Sequence, residues 1–294
     1  MDEVLLGLSL VVILSVLARL SATWMRVPPI VPLLVVGIVV GVSGLELVDP
    51  EKMLGPALSP IVQIAVGIIL FEGALSLKRE ELGSGVRGAV TRLITLGVVI
   101  TWFIATVSIA VFLDVPHPIA ILIGATVIVS GPTVILPILS FIAPTTKVRN
   151  VLKWEGILID PIGAIIAVVV FGSFANGEGG RFDIAELFLS LMVGGMVGVI
   201  AALLMMPVLG TKRLAGRDKV AATLMMVVAS FAVSDAILPD SGLVSTIVMG
   251  VALANQHRVR IDQVAEFKET LVPILIGILF VLLAANIEVS EVID

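Results

Sequence analysis

Buried carboxyl groups and a helix-breaking run are the features of this sequence best able to do chemistry. The stretch "LKWEGILIDPIGAII" at 152–166 sets Lys153, Glu155 and Asp160 inside a run otherwise apolar enough to cross a bilayer. Entered as a helix near Asn150, with a rise of about 1.5 Å per residue, it carries Asp160 about 15 Å deep. That is near the middle of a hydrocarbon layer about 30 Å thick. An Asp at that depth costs about 2.5–3.5 kcal/mol even on the lenient insertion scale, and a packing role would not need it. Asp160 is therefore expected to bind a cation when ionised and to carry a proton when neutral. Glu155 points about 140° away from Asp160 around the helix, so the two need not share one ligand shell, and Glu155 should be neutral or paired. Lys153, on nearly the same face as Asp160, is expected to snorkel to the membrane surface.

A second group lies in the stretch 118–143, where "SGPTV" supplies Ser130, Gly131, Pro132 and Thr133. Pro132 removes a backbone donor and clashes with the preceding turn, and Gly131 lowers helix propensity, so the helix should break or unwind there. Such a break is tolerated at membrane depth only where the freed carbonyls and amides face protein, water or ligand. Counted from its far end near Ile142, the break reaches about the depth of Asp160, so a carboxylate and a broken helix meet at one level. The alternative is an ordinary proline kink relieved by the Ser130 and Thr133 hydroxyls. Glu72, about two turns from its span end, could line an entry path or bond a neighbouring helix, and Asp235 reads as a solvated interfacial residue. The glycines of "VGGMVG" at 193–198 read as close helix contacts.

The elements that must hold these groups are apolar helices. The 294 residues are 59% hydrophobic and 14% charged, and the mean hydropathy of +1.19 lies far outside the soluble range. Apolar stretches occur at 3–22, 29–48, 57–77, 89–113, 118–143, 150–174, 185–209, 219–238, 242–256 and 269–287. They read as ten transmembrane helices of an all-α polytopic membrane protein. The connectors after odd-numbered spans hold 16 of the 18 basic residues, and Lys52 and Arg181 alone fall on the other side. The positive-inside rule then puts the N-terminus outside the cell membrane. The acidic start "MDEVLLGLSL" reads as a first span and not a signal peptide. The absence of cysteine excludes disulfides and thiolate metal sites, and His117 and His257 are too few for a histidine cluster. A net charge of −5 without a basic run argues against nucleic acid, leaving membrane lipid as the surrounding partner.

"VGIILFEGALSLKREEL" (66–82) aligns with "IGILFVLLAANIEVSEV" (276–292), matching Gly67 to Gly277, Ala74 to Ala284 and Glu81 to Glu291. A weaker echo pairs 30–41 with 243–254. Spans three and ten run in opposite directions, which is the inverted repeat common in secondary transporters. The first repeat continues through spans four to six, whereas the second stops at Asp294, so about three further spans are expected beyond the given chain.

These residues resemble the monovalent cation/proton antiporters, the NhaP-like Na+/H+ exchangers. "RVPPIVPLLVVGIVVG" is similar to the family's second span, "LFEGALSL" to its third, "GATVIVSGPTVI" to its discontinuous fifth and "EGILIDPIGAIIAVVVF" to its sixth. The resemblance implies thirteen spans, with 1–174 as a first repeat of six, 185–209 as a linking span and 219–294 as the first half of a second repeat. It implies a homodimer, no cofactor, and a core bundle moving against a dimerisation domain. The ion-binding Asp carries over to Asp160, and the Glu that relatives pair with an Arg late in the chain carries over to Glu155. Ser130, Gly131 and Pro132 replace the family's Thr-Asp-Pro, Ile159 replaces the Asn or Asp before Asp160, and Gly156 replaces a Ser that often ligates Na+.

The expected activity is exchange of Na+ or K+ for protons, with Asp160 holding either, assisted by carbonyls and hydroxyls of Ser130 and Thr133. A single central Asp beside Ile159 implies one-for-one electroneutral exchange. A cation channel or a proton-independent symporter could use the same broken helix. An intramembrane aspartyl protease needs two deep Asp residues and commonly a Tyr-Asp motif, but the chain has no Tyr and one deep Asp, so no enzyme is expected.

Overall fold

The computed structural model describes residues 2–25, 27–83, 85–113, 115–131, 135, 138–140, 142–175, 184–211, 213–259 and 262–287. Its regular elements are helical, with no strand among the described residues. Six helices are long and apolar enough to cross a membrane: Val4–Met25, Pro50–Leu75, Val86–Phe112, Thr146–Phe171, Leu187–Gly210 and Gly216–Ile237. Four shorter apolar helices, Ile30–Val40, His117–Val127, Ser241–Ala254 and Leu271–Ala285, fall in the other four apolar stretches of the sequence. The chain is a multi-pass membrane protein. It divides into two compact units, residues 1–69 with 266–294, and residues 70–265.

In the first unit, α1 (Asp2–Met25) packs against α2 (Ile30–Val40) and the short α3 (Pro50–Leu54). α4 (Leu58–Leu75) begins in this unit and ends in the other. α3 starts where Asp49 accepts the Lys52 amide at 3.0 Å and pairs with the Lys52 ammonium at 2.8 Å. These bonds hold the Asp49 carboxyl below the usual carboxylate range. Val11, Leu33, Val40, Val281 and Ala285 form an apolar core. α2 could not come so near the last helix of the chain without glycine, because a methyl group on Gly37 would sit 2.5 Å from the Ala284 Cβ.

The second unit carries the candidate site. α5 (Val86–Arg92) runs through a π-turn at Leu93–Gly97 into α6 (Val98–Phe112), which packs on α7 (His117–Val127). A methyl on Gly124 would overlap the Thr106 hydroxyl, and the Trp102 indole donates to the Ile121 carbonyl at 3.1 Å, so α6 fixes α7 at short range. α8 (Thr146–Ala175) passes through Pro161 without a break and packs against α7 and α5. Pro161 cannot donate to the Ile157 carbonyl one turn earlier.

α9 (Ile184–Gly210), α10 (Gly216–Ile237) and α11 (Ser241–Ala254) complete this unit. Of the "VGGMVG" glycines, Gly194 and Gly198 are close contacts, as expected, and Gly195 is not. A methyl on Gly194 would meet the Ser241 carbonyl at 2.5 Å, and one on Gly198 would run into the Ser245 carbonyl. Ser234 and Ser241 share a hydrogen bond of 2.7 Å, and Ser245 donates to the Ser230 carbonyl at 3.1 Å, so α10 and α11 are joined by satisfied hydroxyls in a dry contact. Asp235 differs from its expected solvated role. It is half-buried and accepts the Asp240 amide at 2.8 Å, closing the tight turn between α10 and α11 where Asp240 has φ 64°. The chain after the final apolar stretch of α11 leads to α12 (Asp262–Ala285), most of which belongs to the first unit.

Candidate functional site

α7 ends at Val127, and residues 129 and 130 have no regular structure. Gly131 follows at φ 38°, in the left-handed region that glycine enters at no steric cost. Its carbonyl then accepts the Ile135 amide at 3.1 Å, an i to i+4 bond of the kind that starts a helical turn. Helical geometry therefore stops before Ser130, as the glycine and proline imply. Pro132 and Thr133 lie outside the described residues.

α8 presents two neighbouring faces to this irregular segment. Gly156, Asp160 and Gly163 are spaced i, i+4 and i+7 and so form one stripe. A methyl on Gly156 would come within 3.0 Å of the Ile135 side chain, and one on Gly163 would overlap the Val129 side chain. The two glycines let the side chains of Ile135 and Val129 come close to α8, one turn before and one turn after Asp160 respectively. Asp160 thus lies on α8 between its points of contact with Ile135 and Val129. Asp160 is half-buried and makes no hydrogen bond or ion pair with any described residue.

The adjacent face carries Glu155 and Ile159, also i and i+4. Ile159 is 2% exposed and packs with Ile128 and Val98, so it serves as an apolar wall next in sequence to Asp160. Glu155, half-buried, accepts a hydrogen bond of 3.0 Å from the Ser130 hydroxyl. The Ser130 hydroxyl is thus committed to Glu155 and not to Asp160, and Glu155 has a partner within the given chain.

Lys153 departs from expectation. It does not reach for the membrane surface. Its ammonium donates to the Ser76 carbonyl at 2.7 Å and to Glu81 Oε1 at 2.9 Å and stands 2.7 Å from Glu81 Oε2 in an ion pair, and its side chain is 14% exposed. The reason is local. A 3-10 turn at Arg79–Glu81 folds back after α4 and brings an acceptor carboxylate within reach, which is better than partial solvation for an ammonium. Asn255 secures that turn, donating to the Leu77 carbonyl at 2.8 Å and accepting the Arg79 amide at 2.5 Å. Beside it a methyl on Gly250 would stand 2.7 Å from the Ala74 Cβ. Glu72 lies half-buried in α4.

Glu81, Asn255 and the Gly156/Gly163 pair were not foreseen. The glycines had a sequence signal, since "GILIDPIG" brackets the Asp at helical spacing. Glu81 and Asn255 had none, because their roles depend on a turn and on a contact across more than 70 residues. No group of three or more His, Asp or Glu residues that could hold a resident metal occurs among the described residues.

With this geometry in view, comparison with known proteins is informative. Residues 10–293 match the family described as sodium/hydrogen exchanger, transmembrane. A probable Na(+)/H(+) antiporter 2 of Methanocaldococcus jannaschii is 25% identical over 279 residues, covering 90% of this chain and 64% of that protein. The Na(+)/H(+) antiporter NhaS2 of Synechocystis is 22% identical over 199 residues, covering 66% of this chain and 34% of that protein. The chain spans less than two thirds of the length of either relative. The solved structure of the sodium proton antiporter MjNhaP1 from Methanocaldococcus jannaschii, at pH 8, superposes with a TM-score of 0.82 at 24% identity. That match covers 98% of this chain and 71% of MjNhaP1, and the two share a fold.

Proposed function

Because the chain belongs to the sodium/hydrogen exchanger transmembrane family, as an NhaP-like member, we propose that it exchanges a monovalent cation, Na+ or K+, for protons. The observation that carries this reading is Asp160, a half-buried carboxyl group framed by Gly156 and Gly163 against a non-helical segment. A carboxylate in that setting gains from any cation that sheds its water there, and the freed backbone of residues 128–131 supplies further oxygen. A proton and a cation compete for the same two oxygens. When the proton leaves, the cation enters, and this competition couples the two fluxes.

With Ile159 apolar and Asp160 the central acid, one proton is exchanged for one cation and no net charge moves. Ser130 and Thr133 assist through hydroxyls and carbonyls, and the interrupted span runs from α7 through residues 128–131 to the residues beyond. Glu72 lines the approach. The further reading includes ten spans in this chain, residues 1–174 as one repeat, 185–209 as the linking span and 219–294 in the inverted second repeat. It also includes an outside N-terminus in the cell membrane, a homodimer in lipid and no cofactor.

The test uses everted membrane vesicles with a fluorescent reporter of the pH gradient. Added Na+ or K+ is expected to collapse the gradient with the unmutated chain and not with Asp160→Asn. A gradient indifferent to both ions, with the protein inserted and folded, would instead favour the channel or the proton-independent symporter. A transport current in reconstituted vesicles would overturn electroneutrality alone.

A further inference from the structure

Most described serine and threonine hydroxyls in these helices bond to the backbone of the preceding turn. Ser15, Ser21, Ser76, Thr95, Thr126 and Thr223 all donate to a carbonyl three or four residues back. This is the usual way for a helix to absorb a hydroxyl. Ser130, just past the end of α7, donates instead to a carboxylate oxygen 25 residues away, Glu155 Oε1. Glu155 is half-buried, and Ser130 is its described partner.

Two consequences follow from the chemistry of a hydroxyl. It has one proton to give and two lone pairs to offer. With the proton directed at Glu155, the oxygen has only acceptor capacity left, which is the state a cation requires of a ligand. A charged acceptor also polarises the O–H bond and raises the electron density on oxygen. The position is suitable as well. Val129, the preceding residue, lies against Gly163, and Ile135 lies against Gly156, so Ser130 directly follows one of the two contacts that flank Asp160 on α8.

We infer that Glu155 is a positioning residue that makes the Ser130 hydroxyl oxygen a ligand for the transported cation. The inference rests on the antiport reading of Asp160. It assigns to Glu155 a job done within this chain, by aiming a neighbouring hydroxyl. Glu155 itself stays one shell removed from the ion.

The experiment measures Na+-dependent thermal stabilisation of the purified protein, which reports Na+ affinity, alongside exchange kinetics in reconstituted vesicles. Ser130→Ala and Glu155→Ala are each expected to weaken apparent Na+ affinity about five- to tenfold. The double variant should be no weaker than either single one, since the two residues act as one unit. Glu155→Gln, whose amide oxygen still accepts the Ser130 proton, and Ser130→Thr, which keeps the hydroxyl, should retain most of the affinity. Melting in Na+-free buffer reports folding of each variant independently. Unchanged affinity in Ser130→Ala, or losses that multiply in the double variant, would overturn the inference.

Asp160→Asn separates the two levels. If it abolishes both stabilisation and exchange while the Ser130/Glu155 losses multiply, only this inference fails. If it leaves both intact, the antiport reading fails and takes the inference with it.

Discussion

Asp160 and Lys153 lie two turns apart on one face of α8 and meet opposite fates, one carboxyl group without a described partner and one ammonium with three acceptor atoms. The difference separates a carboxyl group that the proposed exchange can use from an ammonium that holds the structure. Lys153→Met should lower stability by about 1–2 kcal/mol, less than for a fully buried pair because Glu81 is a quarter exposed. Thermal melting of the purified protein checks this, and adding Glu81→Leu should recover part of the loss, since the stranded carboxylate is then gone. A double variant as unstable as the sum of the single ones would show no coupling. The place of Asp160 within an apolar helix was legible in the sequence, because the run around it is apolar enough to cross a membrane. The partners of Glu155 and Lys153 were not, because each lies on another element and is reached only when the chain folds back.

At the scale of elements, glycine sets how closely helices approach, and two pairs of substitutions separate packing from propensity. A Cβ at Gly195 meets nothing within 4 Å, so Gly195→Ala should be neutral or stabilise α9 by up to about 1 kcal/mol. Gly198→Ala, three residues on, drives a methyl into the Ser245 carbonyl and should cost about 1–3 kcal/mol, read as a lower melting temperature. Gly163→Ala pushes against Val129 and should separate α8 from the irregular segment, removing exchange while Gly195→Ala keeps it. Equal effects at Gly195 and Gly198 would mean that α9 and α11 are not in contact as described. The helix stop before Ser130 was legible, since Gly and Pro act through local backbone chemistry. Which of the glycines in "VGGMVG" touches a neighbour was not, because that depends on the rotation of α9 against α11.

For the whole molecule, the absence of cysteine makes sidedness directly measurable. Single replacements Lys52→Cys and Arg213→Cys in the otherwise unchanged chain should react with an impermeant maleimide from opposite sides, the first from outside and the second from the cytoplasm. Labelling of both from the same side would overturn the proposed orientation. The amino-acid sequence by itself determined the class of this protein: the apolar stretches, the end of α7 before Ser130 and an Asp160 set within an apolar helix. Those features arise from hydrophobic length, backbone sterics and the cost of burying charge, all of which act within a few residues. The tertiary structure alone decided that Ser130 answers to Glu155, that Lys153 is tied to Glu81, and that Gly156 and Gly163 let Ile135 and Val129 pack on α8 to either side of Asp160. Contacts between elements depend on helix rotation and close approach, and no local stretch of sequence encodes either.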